Sequence, residues 1–333
     1  MSTPRLRRAE RAQSVVALGG GHGLHASLSA LRQLVDDLTI DELTAIVTVA
    51  DNGGSSGRLR GEFGVLPPGD LRMALAALCG SDQWGDTWAR VLQHRFQGNG
   101  EMRGHVVGNL LIVGLWELLT KDGHGHVDAL DWVGRLLGAK GRVLPMALTP
   151  MDISARVRGA GDDPDEVTTV RGQVEVATTS GVITSISLVP EDPPVSEEAI
   201  TAIRQADWVV LGPGSWFTSV LPHLMVPALR QAIVDTEAQV VVVLNLEPQD
   251  GETGGFDLSD HLAVLTDHAP DLQIDVVIAD AGTPGDELAK LEDVVRDLGA
   301  ALVVDAVSMG DGTARHDPER LAATYARILG SPD

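Results

Sequence analysis

The segment Val15-Val16-Ala17-Leu18-Gly19-Gly20-Gly21-His22-Gly23-Leu24 joins a short apolar run to a glycine-rich loop. A helix-like stretch, Leu28–Leu38, follows it, and Gly21, Gly23 and Ala26 match the G-x-G-x-x-A form of the dinucleotide-binding fingerprint. Glycines allow a tight turn and a close approach of phosphate, while the next helix offers free N–H groups and its positive dipole end. We therefore predict a phosphate-binding loop at Gly20, Gly21 and Gly23; the alternative is a tight turn without a ligand.

The same alternation of apolar run and helix recurs along the chain. Short apolar runs that end in glycine, asparagine or aspartate lie at Val15–Leu18, Thr44–Val49, Trp208–Leu211, Val240–Leu244, Asp275–Ile278 and Ala301–Val304. Helix-like segments include Leu71–Leu78, Leu110–Leu119, Ala199–Ala206, Pro227–Val234 and Leu288–Leu298. Continuous apolar runs that alternate with helices are typical of buried parallel strands joined by right-handed crossovers. The pattern predicts an α/β fold with a Rossmann-like, doubly wound, mainly parallel sheet.

The domain organisation follows from where this rhythm begins and where it is interrupted. Residues 1–13 carry four arginines and are predicted to be a disordered basic lead, and residues 14–330 to be one domain. Residues of about 80–190 interrupt the pattern and are predicted to be an inserted subdomain, helical up to residue 142. Its second part is predicted to contain an antiparallel hairpin that pairs Val174–Val176 with Val182–Leu188.

Composition narrows the class of protein. The 333 residues are 44% hydrophobic, enough for a large core, and the formal net charge of −22 argues against nucleic-acid and anionic-lipid partners. Cys79 is the only cysteine, so no disulfide can form within the chain, and we expect a buried structural thiol. No run approaches the roughly 20 apolar residues of a membrane helix. These features predict a cytoplasmic protein without membrane insertion.

A second polar motif, Asp51-Asn52-Gly53-Gly54-Ser55-Ser56-Gly57-Arg58, follows the second predicted strand. A carboxylate at this place can hold a ribose hydroxyl or a divalent ion against a phosphate. Asp51, Asn52, Ser55, Ser56 and Arg58 are therefore candidate ligand residues, with a flexible linker as the alternative.

Two further motifs precede predicted helices. Asp70, in Pro67-Pro68-Gly69-Asp70-Leu71-Arg72, is either a ligand residue or the N-cap of a helix that begins at Leu71. In Gly104–Asn109, the amide of Asn109 is suited to hydrogen-bond the polar edge of a ligand.

A second glycine-rich loop, Gly212-Pro213-Gly214-Ser215-Trp216-Phe217-Thr218-Ser219, again follows a strand. Backbone amides near Gly214 and Ser215 can form an anion nest, which makes Gly212, Gly214, Ser215 and Thr218 candidates. The two loops share one crevice if their strands flank the point where the strand order reverses. Glu252 and Thr253 are predicted to lie on the rim of that crevice, and Arg315 to close over a phosphate or simply to precede a helix that starts at Asp317-Pro318.

No spacing of residues is typical of a metal site. His124 and His126 alone are weak evidence for zinc, and no Gly-x-Ser-x-Gly elbow with plausible partners is present.

Taken together, the ordered motifs resemble those of the YvcK/CofD-like family over nearly the whole chain. The Asp-x-Gly-Gly-Ser-Ser-Gly-Arg, Pro-Pro-Gly-Asp-Leu-Arg and Gly-Pro-Gly-Ser-x-x-Thr-Ser forms resemble the gluconeogenesis factor (YvcK) branch more than the CofD branch of 2-phospho-L-lactate transferases. The resemblance implies binding of UDP-N-acetylglucosamine and a role in carbon metabolism, cell shape and peptidoglycan precursor supply. It implies ligand residues at Gly21, Gly23, Asp51, Asn109, Gly214, Ser215 and Arg315.

The chain departs from the family pattern at four positions. His22 stands where threonine is usual, Phe217 replaces a tyrosine, and Pro318 stands where some relatives have threonine, so regulation by phosphorylation is not carried over. Asn52 replaces a second aspartate beside Asp51 and removes one carboxylate from any metal site. No cofactor is therefore required, with Mg²⁺ at Asp51 as an option, and a homodimer is expected from the family alone.

Three functions remain open from the sequence. The favoured one is a regulatory protein that binds a nucleotide sugar and need not catalyse a reaction. The first alternative is a CofD-type transferase of phosphorus-containing groups, in which Asp51 holds a metal. The second is an NAD(P)-binding oxidoreductase that uses Gly21, Gly23, Ala26 and Asp51.

Overall fold

The computed structural model describes residues 13–161, 163–249 and 252–330. Ten strands are present within them: β1 (Gln13–Gly19), β2 (Ile40–Val47), β3 (Arg142–Pro145), β4 (Asp152–Arg158), β5 (Val167–Arg171), β6 (Val182–Val189), β7 (Trp208–Leu211), β8 (Gln239–Val243), β9 (Val276–Asp280) and β10 (Ala301–Asp305). The predicted basic lead lies outside the described residues, except for Gln13, which opens β1.

Thirteen α-helices are described. They are α1 (Gly21–Asp36), α2 (Gly54–Phe63), α3 (Gly69–Ala77), α4 (Gln83–Gln93), α5 (Val107–Lys121), α6 (His126–Leu137), α7 (Gln173–Ala177), α8 (Glu197–Gln205), α9 (Leu221–Met225), α10 (Pro227–Val234), α11 (Leu258–His268), α12 (Gly285–Asp297) and α13 (Pro318–Gly330). A π-helix, Trp216–Val220, precedes α9. In the part of the chain that the structure describes, no helix combines the length and apolar character needed to cross a bilayer.

The main sheet has seven parallel strands in the order β10-β9-β8-β7-β1-β2-β3. Its central strands β1, β7 and β8 are buried along most of their length, as expected of strands covered on both faces. Each of the six apolar runs picked out in the sequence became one of these strands, so the predicted doubly wound α/β fold is confirmed. β3 was missed, because its short Arg142–Pro145 run lies at the sheet edge and opens on an exposed arginine.

The first helix begins earlier than its apolar periodicity predicts. α1 starts at Gly21 rather than at Leu28, and Gly20 is its N-cap. Gly21 and Gly23, which have low helix propensity, therefore lie in the first turn of α1. The buried side chains of Leu24 and Leu28 anchor the helix on the sheet. Tertiary packing thus overrides local propensity at the place where the loop must be tight.

Residues of about 80–190 form two parts, divided by β3 of the main sheet. The first is helical and comprises α4, α5 and α6, with Cys79 buried just before it and its thiol pKa raised to about 11 by burial. The second is a three-stranded antiparallel sheet in the order β5-β4-β6. The predicted hairpin was wrong in one strand: Val174–Val176 lie in α7, and β4 is the strand that pairs with β6. A period-two apolar pattern this short also fits one helical turn. Within α7, Val176 is buried and Val174 is exposed.

Candidate functional site

The candidate site lies where the strand order reverses. On one side β1 pairs with β2, the next strand in the sequence, and on the other side it pairs with β7, a strand far along the chain. The loops that follow β1 and β7 therefore diverge from the same edge of the sheet and open a crevice between them, the usual position of ligands in doubly wound sheets.

The two loops are in direct contact. A Cβ atom built on Gly23 would overlap the carbonyl oxygen of Pro213 and lie 2.6 Å from Gly214 Cα. A Cβ built on Gly20 would lie 2.7 Å from Asp70 Oδ2. Gly20 and Gly23 are thus required by the protein's own close packing as well as by any ligand.

The crevice holds a cation within an acidic chain. A cavity of about 330 Å³ is lined by Arg315, Glu247 and the histidines His22, His25 and His316, together with Gly23 and Gly214. The N-terminus of α1 faces it, with neither a side-chain cap nor an acidic residue in its first turn. Burial, followed by the nearby His22, Arg72 and Arg315, lowers the pKa of His25 to about 4, so its imidazole is neutral at pH 7. The cavity combines a helix N-terminus, at which Asp70 occupies the Gly21 amide, with a cationic guanidinium, and the remaining amides suit an anionic group.

On the other side of the first loop lies a pair of carboxylates. Asp70 is in the first turn of α3, whose N-cap is Pro68, and it accepts a hydrogen bond from the Gly21 amide. The helix-cap interpretation of Asp70 is therefore wrong, because α3 begins at Gly69 and the side chain turns to α1 instead. Burial, and then the charge of Asp51, raise the pKa of Asp70 to about 7. Asp51 itself accepts a 2.8 Å hydrogen bond from the Gly53 amide through Oδ1.

The donors beside this pair suit Mg²⁺. Asp70 Oδ2 and Ser56 Oγ are buried without a hydrogen-bond partner. A Cβ on Gly69 would lie 2.7 Å from Asp51 Oδ2 and would also collide with Ser56 Oγ, which places these two side chains around one glycine, and the charge of Asp51 acts on the neighbouring Asp70. Hard oxygen donors from one or two carboxylates are what Mg²⁺ takes from a protein while it keeps waters and phosphate oxygens. Among the described residues no cluster of three or more His, Cys, Asp or Glu side chains could hold a metal, so only this smaller donor set fits.

A buried network supports the floor of the site. Arg72 Nε donates to Asn109 Oδ1 at 2.9 Å, and Asn109 Nδ2 donates to Ser55 Oγ at 3.2 Å. Ser55 Oγ also lies 3.2 Å from His105 Nδ1 and accepts from the Val106 amide. Burial, and then Arg58, lower the pKa of His105. The side chains of Asn109 and Ser55 thus bind one another and join α2, α3 and α5.

The second glycine loop is stabilised from within the protein. Asn245 accepts from the Gly214 amide at 3.0 Å and donates to the Gly214 carbonyl at 2.8 Å. Ser215 Oγ donates to the buried Glu252 carboxylate at 2.5 Å and also contacts Thr218 Oγ1. The Gly214 amide is therefore already occupied, and the anion nest predicted there lacks one of its two donors.

Residues 15–309 match the family model described as 2-phospho-L-lactate transferase CofD. The chain belongs to the CofD family.

Its relatives align over nearly the full length. The "Putative gluconeogenesis factor" of Mycobacterium tuberculosis is 50% identical over 327 residues, which are 96% of this chain and 92% of the relative. The gluconeogenesis factor of Listeria monocytogenes is 34% identical over 95% of both chains. The crystal structure of a UPF0052 family member from Bacillus halodurans superposes with a TM-score of 0.80 at 31% identity and covers 95% of this chain and 99% of that chain. The resemblance inferred from the motifs is confirmed.

Two predicted ligand residues of this CofD family protein are engaged elsewhere. Asn52 donates to Glu175 at 2.7 Å and accepts from the Val174 amide at 3.0 Å, so it ties α7 to the loop after β2. Arg58 is exposed and donates to the carbonyl groups of Glu101 and Arg103. Both side chains contact neighbouring segments of the chain rather than either glycine loop.

Other residues of the site were not assigned in the sequence. His25 lies one turn beyond His22 on α1, and that spacing was a usable signal. Asn245 stands directly after the apolar run of β8, but only the structure shows that it reaches Gly214. Glu252 was predicted on the rim, but it is buried. Its carboxylate accepts from two hydroxyls and from the Phe217 amide, and these bonds compensate for the loss of water. Arg315 lines the crevice as predicted, while Asp317 caps α13 through the Glu319 amide.

Proposed function

We propose that this CofD family protein binds a nucleotide sugar, UDP-N-acetylglucosamine, in the crevice between the loops that follow β1 and β7. The observation that carries the proposal is the meeting of the α1 N-terminus, whose His22 and Gly23 amides have no acceptor among the described residues, with His22, His25 and Arg315 in one cavity of an otherwise strongly acidic chain. A diphosphate needs N–H donors and at least one cation, and this cavity offers both.

The biological role that we propose is regulatory. Relatives that share a third to a half of the sequence are named gluconeogenesis factors, which suggests a link to carbon metabolism. We extend this to cell shape and peptidoglycan precursor supply, because UDP-N-acetylglucosamine feeds cell-wall synthesis, and we place the protein in the cytoplasm, where that ligand is made. The downstream partner would then recognise the ligand-bound form, and a homodimer remains part of the proposal.

The carboxylate pair supports a second function. Asp51 and Asp70 could hold Mg²⁺ with Ser56 nearby, and the ion would neutralise charge on a phosphorus-containing group during transfer. Asp70, with a pKa of about 7, could in addition hold or release a proton near that group. This arrangement favours a CofD-type transferase as the alternative, with Asp51 as the residue most directly involved.

Calorimetry with purified protein separates these functions. The ligands are UDP-N-acetylglucosamine, UDP-glucose, GDP and NAD, each with Mg²⁺ and with EDTA. We expect UDP-N-acetylglucosamine to bind most tightly, and Arg315→Ala to weaken it by about tenfold through loss of a charge-assisted contact. Gly214→Asp should abolish binding, since a carboxylate would enter the crevice.

The matched control is Arg296→Ala, on the exposed face of α12, where the arginine pairs only with Asp293. Its affinity should equal that of the unaltered protein. Binding of GDP alone, and only with Mg²⁺, would favour the transferase, and binding of NAD alone would favour an oxidoreductase. Either result contradicts the nucleotide-sugar proposal.

A further inference from the structure

A second cavity adjoins the cationic crevice. It encloses about 430 Å³ between α7 and the loop after β7, within the range of small-molecule sites. Gln249 lines both cavities, so the two are neighbours along the same edge of the sheet. None of the functions considered above assigns this space to a ligand.

The second cavity lacks the cation that the first one has. Its described lining includes no lysine, arginine or histidine, whereas the first cavity is lined by Arg315, Glu247 and three histidines, His22, His25 and His316. Its charged member is Glu252, only 7% exposed, which accepts from Ser215 at 2.5 and 2.6 Å and from Thr218 at 2.9 Å. A phosphate placed here would meet a like charge without a compensating cation.

Two acceptors in the wall are buried, Gln249 Oε1 and the Glu252 carboxylate. Gln249 Oε1 has no hydrogen-bond partner among the described residues, which leaves a costly unsatisfied acceptor on a residue that lines both cavities. Ser215 Oγ gives its hydrogen to Glu252 and accepts from the Thr218 amide at 3.3 Å, so it offers at most one further lone pair. Such a wall requires a ligand that donates hydrogen bonds, and burial raises the pKa of Glu252 above its usual value.

An apolar surface stands opposite these acceptors. Val174 and Ala177 on α7 line the cavity, and α7 is anchored over it by the Asn52 side chain. Acceptors on one wall and aliphatic carbon on the other suit a neutral ring that carries hydroxyl groups, whose edges donate and whose faces are apolar.

We infer that this second cavity is a subsite for the sugar ring of the bound nucleotide sugar, with Glu252 and Gln249 as the acceptors that select a neutral, hydroxyl-bearing group. The inference rests on the proposed function and deepens it. The anionic diphosphate occupies the crevice of His22, His25 and Arg315, and the sugar extends past Gln249 into the space beneath α7. Glu252 disfavours an acidic sugar by like charge, so it sets specificity by repulsion as well as by attraction.

The test compares ligands that differ only in the sugar. Dissociation constants are measured by calorimetry for UDP, UDP-N-acetylglucosamine, UDP-glucose and UDP-glucuronate. In the unaltered protein, we expect the neutral sugar to tighten binding over UDP by about tenfold, the effect of one hydrogen bond to a charged group. UDP-glucuronate should bind more weakly than UDP-glucose.

Two variants probe the cavity independently. Glu252→Gln should remove most of the sugar increment over UDP and reduce the discrimination against UDP-glucuronate, because the like charge is gone. Ala177→Leu keeps Glu252 and fills the space, so it should remove the increment even if Glu252→Gln loosens the loop. The controls are Glu292→Gln on α12 and Ala326→Leu on α13, both exposed and remote from the crevice.

The outcomes separate the subsite from the proposed function. If the protein and its controls bind UDP but the sugar increment survives both Glu252→Gln and Ala177→Leu, the sugar lies elsewhere and the inference is overturned while the proposed function stands. If Glu252→Gln weakens UDP itself and leaves the increment unchanged, Glu252 only supports the loop, and the inference again fails. If neither UDP nor any UDP-sugar binds the unaltered protein, the proposed function fails and the subsite fails with it.

Discussion

The two glycine-rich loops have similar sequences but are held in place differently. The first, at Gly20–Gly23, becomes the first turn of a 16-residue helix whose N-terminus has no side-chain cap. The second, at Gly212–Ser215, is filled by side chains of the protein, with Asn245 on the Gly214 backbone and Glu252 on Ser215. In the first loop Asp70 accepts from the Gly21 amide, and the amides of His22 and Gly23 have no acceptor among the described residues; in the second loop the Gly214 amide is occupied.

The difference shows what a glycine-rich motif does and does not predict. Glycine indicates that backbone must pass close to something, and here that neighbour is largely the other loop, since Gly23 packs on Pro213 and Gly214. Whether the freed amides meet a ligand depends on side chains from distant segments. Substitutions that break the loop contact, change the carboxylate beside the first loop, or remove a side chain from the second loop should therefore change the stability by different amounts.

The largest effect is expected from Gly23→Ala. Its methyl group would overlap the Pro213 carbonyl, and two backbone segments would have to separate. We expect a loss of about 3 kcal/mol or more in the free energy of unfolding, at the upper end of overpacking effects, measured by urea denaturation.

Gly114→Ala is the matched control, because Gly114 lies inside α5 and a Cβ there has no neighbour within 4 Å. It should gain about 0.5–1 kcal/mol from the better helix propensity of alanine. Equal midpoints for Gly23→Ala and the unaltered protein would show that the two loops are not tightly packed.

The sequence predicted the strands and loops that surround the site better than the side-chain contacts within it. The apolar runs identified six of the seven strands of the main sheet, and the positions of the two glycine loops after Val15–Leu18 and Trp208–Leu211 placed both at the crevice. Strand identity depends on local apolarity and length, which a sequence displays directly. The missing strand, β3, is short and lies at the edge.

Side-chain partners could not be predicted because they join residues far apart in the chain. Asn109 was predicted as a ligand residue, and its amide also bonds Arg72 and Ser55, which are 37 and 54 residues away in the sequence. Asp70 resembled a helix cap, and only the fold brings it to Gly21 and Asp51. Conversely, the substitution of Asn52 for aspartate removes no carboxylate from the Asp51–Asp70 pair, because Asn52 contacts α7.

An intermediate effect is expected at the carboxylate beside the first loop. Asp70→Asn removes a buried charge next to Asp51 and can still accept from the Gly21 amide. Since the folded protein holds the Asp70 proton between about pH 4 and pH 7, where the unfolded chain has lost it, ionisation of Asp70 costs stability as pH rises through this window. One pKa unit corresponds to about 1.4 kcal/mol. We expect the variant to be more stable by about 2 kcal/mol above pH 7. This gain is smaller than the full cost of ionising Asp70, because the new amide leaves some polar atoms unpaired.

Thermal denaturation in EDTA from pH 4 to pH 8 measures this difference, which should change sign near pH 4, where Asp70 is protonated in the folded protein and only the cost of the unpaired amide atoms is left. Asp297→Asn, on the exposed end of α12, should show no such trend. Adding Mg²⁺ at pH 8 should stabilise the unaltered protein and leave Asp70→Asn unchanged, since the ion binds only the native donor set. A stability gain that is the same at pH 4 and pH 8 would exclude charge repulsion as its cause.

The smallest effect is expected from Asn245→Ala in the second loop. The substitution leaves the buried Gly214 amide and carbonyl without their partner, at a cost of about 1 kcal/mol. Asn52→Ala is the control, because its side chain also bridges two segments but is more exposed to water, and its loss should stay below about 0.5 kcal/mol.

The same variant decides how far the two loops differ in use. If Asn245 serves to position the second loop, Asn245→Ala should bind UDP about threefold more weakly in calorimetry, an effect below 1 kcal/mol. If the freed Gly214 amide instead binds phosphate, affinity for UDP should rise. That result would make the second loop a phosphate loop of the same kind as the first, and the Asn245 side chain would then be a competitor that the ligand must displace.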